Sequence, residues 1–389
     1  MHSGTAILSI GLLAAGHQVV AQLPSRTPPI EFQREFGDSG MNVGNAVVEL
    51  STGGYAVVGY GYNGARGLDG SLLRLDPAGK LLWEQKYGGS GDDYAWDLRE
   101  TKDGGFLVVG FSNTGNQPAN EDVWVFRTDR DGALLWERRY GGTDAEEAWA
   151  LELLEDGGAV ILAQTRSWGQ GMEDVYLLRL TSAGDTLWTR TVGGPGVDRA
   201  FSLARGPRGL VAVGQSRDSA QSEMDVWAFG FTVDGQVRWQ RRYPGMGEDT
   251  GHGVLSLGKD GFVITGYGRA ADANSTDLRL IRIGLDGEPI WDRSFGGPND
   301  DRGLMSARTL KGGLVSIGYT MTGGTDWDAV VFGTKRDGTP EWQWTLNRPV
   351  PDRGVMIVTT RDGGQILTGS FGADFQHSRL FVVKTRAGR

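Results

Sequence analysis

Residues 79–89 read Gly79-Lys80-Leu81-Leu82-Trp83-Glu84-Gln85-Lys86-Tyr87-Gly88-Gly89, and the phrase returns 53 residues later as Gly132-Ala133-Leu134-Leu135-Trp136-Glu137-Arg138-Arg139-Tyr140-Gly141-Gly142. Tryptophan holds this place in six copies, Trp83, Trp136, Trp188, Trp239, Trp291 and Trp342, at intervals of 51 to 53 residues, and Phe32 sits 51 residues before the first. Four residues after each comes Phe36, Tyr87, Tyr140, Val192, Tyr243, Phe295 or Leu346. A fixed period of this length marks a repeat architecture, in which each unit covers its apolar face with its neighbours. Seven units span residues 31–385.

Each unit holds four short runs with strand character, separated by turn signals. In the third unit these are Glu147 to Leu153, Ala159 to Gln164, Val175 to Leu180 and Thr186 to Thr191, with Glu155-Asp156-Gly157-Gly158 and Ser182-Ala183-Gly184 as turns. None carries a sustained 3.6-residue apolar period. Four strands per unit, seven times, predicts an all-β fold, a seven-bladed β-propeller with four antiparallel strands per blade. The first run, Glu31 to Phe36, matches the fourth strand of a unit, and the last, Leu380 to Lys384, matches the third. The N-terminal strand is therefore expected to complete the last blade and close the ring, leaving no open repeat end. The recurring tryptophans read as packing wedges between blades, with an aromatic sugar platform as the alternative.

Composition fits such a chain. Of 389 residues, 63 are glycine, over twice the usual share of roughly 7%, yet 13 are tryptophan, so this is neither a collagen nor a disordered polymer. The 48 acidic side chains outnumber the 39 basic ones, for a net charge of -9, which argues against nucleic acid as partner. There is no cysteine, which removes disulfides, thiolate zinc sites and cysteine nucleophiles together.

Residues 1–21 contain no Lys, Arg, Asp or Glu, and the apolar stretch Ala6 to Ala15 is too short to span a bilayer. A signal peptide at 1–21, a linker at 22–30 and a propeller at 31–389 follow as expectations, with a secreted or periplasmic location and no membrane span. A monomer is expected.

Strand parity puts the A–B and C–D turns on one face and the B–C and D–A connections on the other. The first are tight and uniform, such as Asp103-Gly104-Gly105 and Asp131-Gly132. The second include the long stretches Asn113 to Glu121, Arg166 to Glu173, Arg217 to Met224 and Arg269 to Thr276. Ligand contacts are usually mounted on such variable loops, which places any site on that second face, around the channel mouth.

Acids recur there. Asp93, Glu146, Asp198, Asp249, Asp301 and Asp352, with Asn42 in the first unit, precede strand A, and Asp69, Asp122, Asp174, Asp225, Asp277 and Asp328 precede strand C. A carboxylate ring could hold calcium, but identical acids beside small residues in every unit favour hydrogen bonding to loop backbone, and no metal site is expected. The copies differ one residue later, at Val43, Tyr94, Glu147, Arg199, Thr250, Arg302 and Arg353. Arg199, Arg302 and Arg353 could clamp a carboxylate, with Tyr60, Tyr62 and Trp168 as stacking surfaces; pairing with the adjacent acids is the competing reading. Tyr94 and His252 are the candidates for proton transfer, although Gly251-His252-Gly253 supplies no partner by spacing. Gly59-Tyr60-Gly61-Tyr62-Asn63-Gly64 fits a dinucleotide fingerprint but lies between two strands, with no helix to receive a pyrophosphate. Asn274-Ser275-Thr276 is an N-glycosylation sequon.

The unit Trp83 to Gly89, followed by Asp92-Asp93-Tyr94-Ala95 and Asp103-Gly104-Gly105-Phe106, resembles the repeats of exported bacterial and archaeal propeller proteins. It is distantly similar to quinoprotein propeller repeats, whose Gly-Lys-x-x-Trp ending is matched by Gly79-Lys80-Leu81-Leu82-Trp83. The quinone-dependent dehydrogenases of that kind have eight blades and adjacent cysteines, so seven units without cysteine imply no quinone, and no cofactor is expected. Two functions follow as expectations: a secreted, non-catalytic scaffold that binds a protein or glycan through its long-loop face, and, as alternative, an extracellular polysaccharide lyase acting on uronate-containing glycans. In the second, Arg302, Arg353 or Arg199 would neutralise the uronate, and Tyr94 or His252 would move the proton.

Overall fold

The structure, a computed structural model, describes residues 23–387 except 39, 65–66, 114–119, 221, 270–274, 323–325 and 347. The expected signal peptide at 1–21, Gln22, much of the loops at 113–121 and 269–276, and the sequon residue Asn274 lie outside the described residues.

The fold is a seven-bladed β-propeller of 28 strands in seven four-stranded antiparallel sheets. In the first blade the order from the axis outward is β2 (Asn42–Glu49), β3 (Tyr55–Tyr62), β4 (Leu68–Leu75) and β5 (Leu81–Tyr87). The other innermost strands are β6 (Asp93–Glu100), β10 (Glu146–Leu153), β14 (Val197–Gly206), β18 (Thr250–Ser256), β22 (Asp301–Arg308) and β26 (Asp352–Thr359). The middle strands are almost wholly buried and build the apolar clusters between blades, as with Val58, Leu72, Val108 and Phe126.

The ring closes as the repeat register predicts. The N-terminal β1 (Ile30–Phe36) pairs antiparallel with β28 (Ser378–Thr385), outermost on the sheet that β26 and β27 (Gln365–Gly372) complete. Residues 23–29, expected as a linker, run along the sixth blade's outer strand β25 (Pro340–Thr345): Arg26 N donates to Gln343 O at 2.8 Å and Gln343 N to Pro24 O at 3.1 Å. Leu23 is buried among Leu280, Phe295 and Phe332.

The wedge rings do lie between blades, the tryptophans half-buried and Phe32 buried, and six of the seven lie against the C–D turn of the next blade. Gly132, at φ +82°, sits so near Trp83 that an added Cβ would fall 3.0 Å from its ring, so the turn conformation and the ring both require glycine. The same juxtaposition joins Gly184 to Trp136, Gly235 to Trp188, Gly287 to Trp239, Gly338 to Trp291 and Gly79 to Phe32. Where a tyrosine follows four residues later, its hydroxyl donates to the same turn: Tyr87 to Gly132 O at 2.6 Å, Tyr140 to Gly184 O at 2.5 Å and Tyr243 to Gly287 O at 2.7 Å. Burial pushes the Tyr140 phenol up to about 12, so the donor stays protonated at ordinary pH. Replacing Trp136 by alanine removes the ring from the Gly184 turn and is expected to cost about 2–4 kcal/mol, below or near the range for a fully buried aromatic. A thermal melt reads this as a lowered midpoint, and an unchanged midpoint would reject the wedge.

Candidate functional site

In six blades the recurring acid stands at or beside the start of the innermost strand, and the geometry explains why. Asp93 Oδ2 accepts from Gly89 N at 2.7 Å, Glu146 Oε2 from Gly142 N at 2.6 Å, Asp198 Oδ2 from Gly194 N at 2.7 Å and Asp301 Oδ2 from Gly297 N at 2.7 Å. Each carboxylate thereby caps the incoming D–A loop, and in several blades a hydroxyl of strand B also donates to it: Thr165 to Glu146 at 2.5 Å, and Ser216 to Asp198. The acids before strand C share the same loop glycines, since a Cβ on Gly88 would meet both Asp69 and Asp93.

Blades five and seven break this pattern. The hydroxyl position of strand B is Gly268 beside Asp249 and Phe371 beside Asp352. Burial without that donor pushes the Asp249 carboxyl up to about 7 and that of Asp352 up to about 6. Arg279 Nη1, 3.5 Å from Asp249, pulls the other way, while Asp225 and Asp292 add to the upward shift.

The central channel is shaped by a second repeated device. Each innermost strand carries a bulge just after the small residue of the acid motif, as between Ala95 and Asp97 or Gly251 and Gly253. The residues that fall there, Asn45, Trp96, Trp149, Phe201, His252, Leu304 and Val355, line a cavity of about 650 Å³ on the axis. Four of them form a continuous aromatic arc: Trp96 and Trp149 have centroids 4.6 Å apart, Trp149 and Phe201 meet edge to face at 5.6 Å, and Phe201 stacks on His252 at 5.0 Å. Burial, followed by the charge of Arg302, pushes the His252 imidazole down to about 4, so the ring is neutral at pH 7. Deeper in the channel Arg99 pairs with Asp97 at 2.6 Å and approaches Glu152 at 3.8 Å.

The variable belt at the mouth divides into four groups. Tyr94 is enclosed by Tyr60, at 4.8 Å, and Phe111, at 4.7 Å, and burial pushes its phenol up to about 12. Glu147 accepts from Gln164 at 2.7 Å, and burial together with the neighbouring Glu121 pushes it up to about 7. Arg199 joins Arg166 on Glu173, so it pairs with an acid and stands apart from the other two arginines. Those two come together on one ring: Arg302 lies 5.5 Å from the Trp327 centroid and 5.0 Å from that of Tyr267, and Arg353 lies 5.5 Å from Trp327 and 5.3 Å from Tyr319. Trp327, Arg353, Ser370, Phe371, Asp374 and Ser378 line an adjoining pocket of about 240 Å³. Tyr62 and Trp168 are exposed, at 46% and 41%, and lie outside this group; Trp168 packs on Tyr176 at 4.9 Å.

Sequence reasoning found Arg302 and Arg353 but missed Trp327, which lies in strand C of its blade just before Asp328, in a column that elsewhere holds Leu68, Glu121, Glu173, Met224 and Thr276. It also missed the aromatic arc. The signal for the arc was present as a small residue followed by a ring: Ala95-Trp96, Ala148-Trp149, Ala200-Phe201 and Gly251-His252.

No protein-family model matches the chain. A stretch of 122 residues, about 28% of the chain, is 28% identical to the regulatory protein FlaEY of Caulobacter vibrioides, of which the chain spans 13%. Among solved structures, puromycin hydrolase superposes with a TM-score of 0.56 at 14% identity, over 96% of this chain and 57% of that one. The extracellular domain of a protein from B. thetaiotaomicron described as a hybrid two-component system gives 0.50 at 10% identity, over 92% and 41% of the two chains. These likenesses establish the propeller fold and nothing further. Among the described residues no helix is long and apolar enough to cross a membrane.

Two outcomes follow. Asp249 has a folded pKa above its unfolded value, so its protonated form is favoured by folding; the stability it contributes is present below the unfolded value and lost as pH climbs through about 7. Asp249→Asn, the amide that Asn42 places in the first blade, is therefore expected to flatten the fall in melting midpoint between about pH 4 and 7. Because loop N–H groups already cap Asp93, Glu146, Asp198 and Asp301, stripping divalent ions with a chelator is expected to leave the melting midpoint unchanged; a large downward shift would mean a bound cation.

Proposed function

We propose that the protein is an exported, non-catalytic propeller that binds a carboxylate-bearing partner, an acidic sugar or an acidic protein loop, at the channel mouth. The observation that carries this reading is the pairing of Arg302 and Arg353 on the single ring of Trp327. Rings below a guanidinium fix its plane and lower its hydration, the arrangement that suits planar, two-pronged recognition of a carboxylate. The pocket beside Trp327 gives the rest of such a ligand a place to lie, with Ser370 and Ser378 as polar contacts and Phe371 as apolar wall. Arg199, occupied by Glu173, has no part in it.

A lyase reading draws on one feature, the neutral His252 within electrostatic reach of Arg302. Tyr94, its phenol held protonated between Tyr60 and Phe111 in the first two blades, supplies no base.

Titration calorimetry of the protein with a polyuronate and with an acidic polypeptide tests the proposal. Binding of at least one is expected, weakened about 10-fold or more by Arg302→Gln with Arg353→Gln and also by Arg353→Lys, which keeps the charge and loses the fork. Equal binding by the double variant overturns the site. Release of unsaturated uronate from the polymer, seen in the ultraviolet and abolished by His252→Ala, would instead establish the enzyme.

A further inference from the structure

The seven wedges are not equivalent. Six rings lie against a turn glycine of the next blade, but Trp342 faces the closing blade, whose third and fourth strands, β28 and β1, are the two ends of the described chain. No C–D turn exists there to cover the ring. In its place the end segments meet, with Arg386 N donating to Pro29 O at 2.8 Å, and a cavity of about 570 Å³ opens beside Trp342. The space beside Trp239, whose ring the Gly287 turn covers, is about 270 Å³.

The lining of this seam opposes the charge of the whole molecule. Arg26, Lys311, Lys335, Arg336 and Arg386 surround it against the single acid Glu341, in a chain of net charge -9. Arg336 reaches Asp260 at 3.3 Å but is 74% exposed, so that pair is heavily screened by water. The crowding of cations is felt nearby: after burial, Arg336 and Arg308 are what depress the Arg282 guanidinium. The apolar side includes the half-buried Trp342 together with Leu310, Leu314 and the Pro28-Pro29 pair.

We propose that this seam is a second binding site, on the face opposite the channel mouth, for an acidic saccharide that lays a sugar ring on Trp342 and its carboxylate or sulfate groups among the surrounding cations. An indole wall takes the apolar C–H face of a pyranose, and flexible cations spread around a compact space suit several anionic groups on one ligand. An extended peptide is disfavoured because the main-chain edge of β25 at Gln343 is already taken by Pro24 and Arg26.

The test uses calorimetry on the full chain with four probes of similar size: an oligogalacturonate, a sulfated oligosaccharide, a neutral oligosaccharide and an acidic peptide. At least one of the two acidic sugars is expected to bind, and which one binds more tightly identifies the anion. Lys335→Glu with Lys311→Glu, both exposed positions, is expected to weaken that binding about 10-fold or more while the melting midpoint holds. Trp342→Phe, which keeps a ring in the wedge, should weaken it less. Arg302→Gln with Arg353→Gln should leave the seam untouched, which separates this site from the mouth. The proposal fails if neither acidic sugar binds, if the neutral sugar binds as well as they do, if the peptide binds more tightly, or if the lysine reversals change nothing.

Discussion

Six of the seven blade boundaries are fastened by an aromatic ring set against a turn glycine at positive φ. An L side chain at Gly132 would have to adopt φ +82° and force its Cβ onto Trp83, so turn and ring constrain each other across a blade boundary. The tyrosine hydroxyl four residues on adds a directed bond to the same turn, which fixes the angle between blades as well as their distance. Because the contact links unit to unit rather than strand to strand, its repetition is enough to define a ring. The zipping of β1 to β28 then turns an open array into a closed one.

This constraint is the reason the architecture was legible and the site only partly so. Ring, tyrosine and turn glycine are all fixed by one contact, so they recur at one period, and a period is visible in a sequence. The acidic ring was legible for the same cause: Asp93, Glu146, Asp198 and Asp301 each accept from a loop N–H four residues earlier, a local arrangement written in local spacing. The arginine column could be located, but not the fate of its members. Arg199 finds Glu173 across a blade boundary, whereas Arg302 and Arg353 find Trp327, and neither choice is encoded in the distance along the chain.

The bulges show how one inserted residue can hide a site. Strand alternation assigns Trp96 by parity from its neighbours, yet the bulge between Ala95 and Asp97 leaves it unpaired and re-aims it at the axis. The same happens in every blade, so a column that looks ordinary becomes the lining of the channel. Four consecutive blades fill it with rings and the remainder with Asn45, Leu304 and Val355, giving a seven-fold scaffold a channel with a distinct aromatic side.

The two faces of the ring are under different rules, and that division explains where individuality is permitted. On the C–D face the turns are committed to covering rings, so a change there costs an interface. On the opposite face the loops leave the acid caps as their fixed points, and residues one step beyond the caps are free to become tyrosine, glutamate or arginine. The closing seam is the exception on the committed face. Continuity of the chain is interrupted there, the covering turn is missing, and Trp342 is the wedge whose surroundings were never bound to the repeat. A concentration of cations at that one place, in an acidic protein, follows the same logic as the variable belt: side chains depart from the pattern where the packing contact that enforces it is absent.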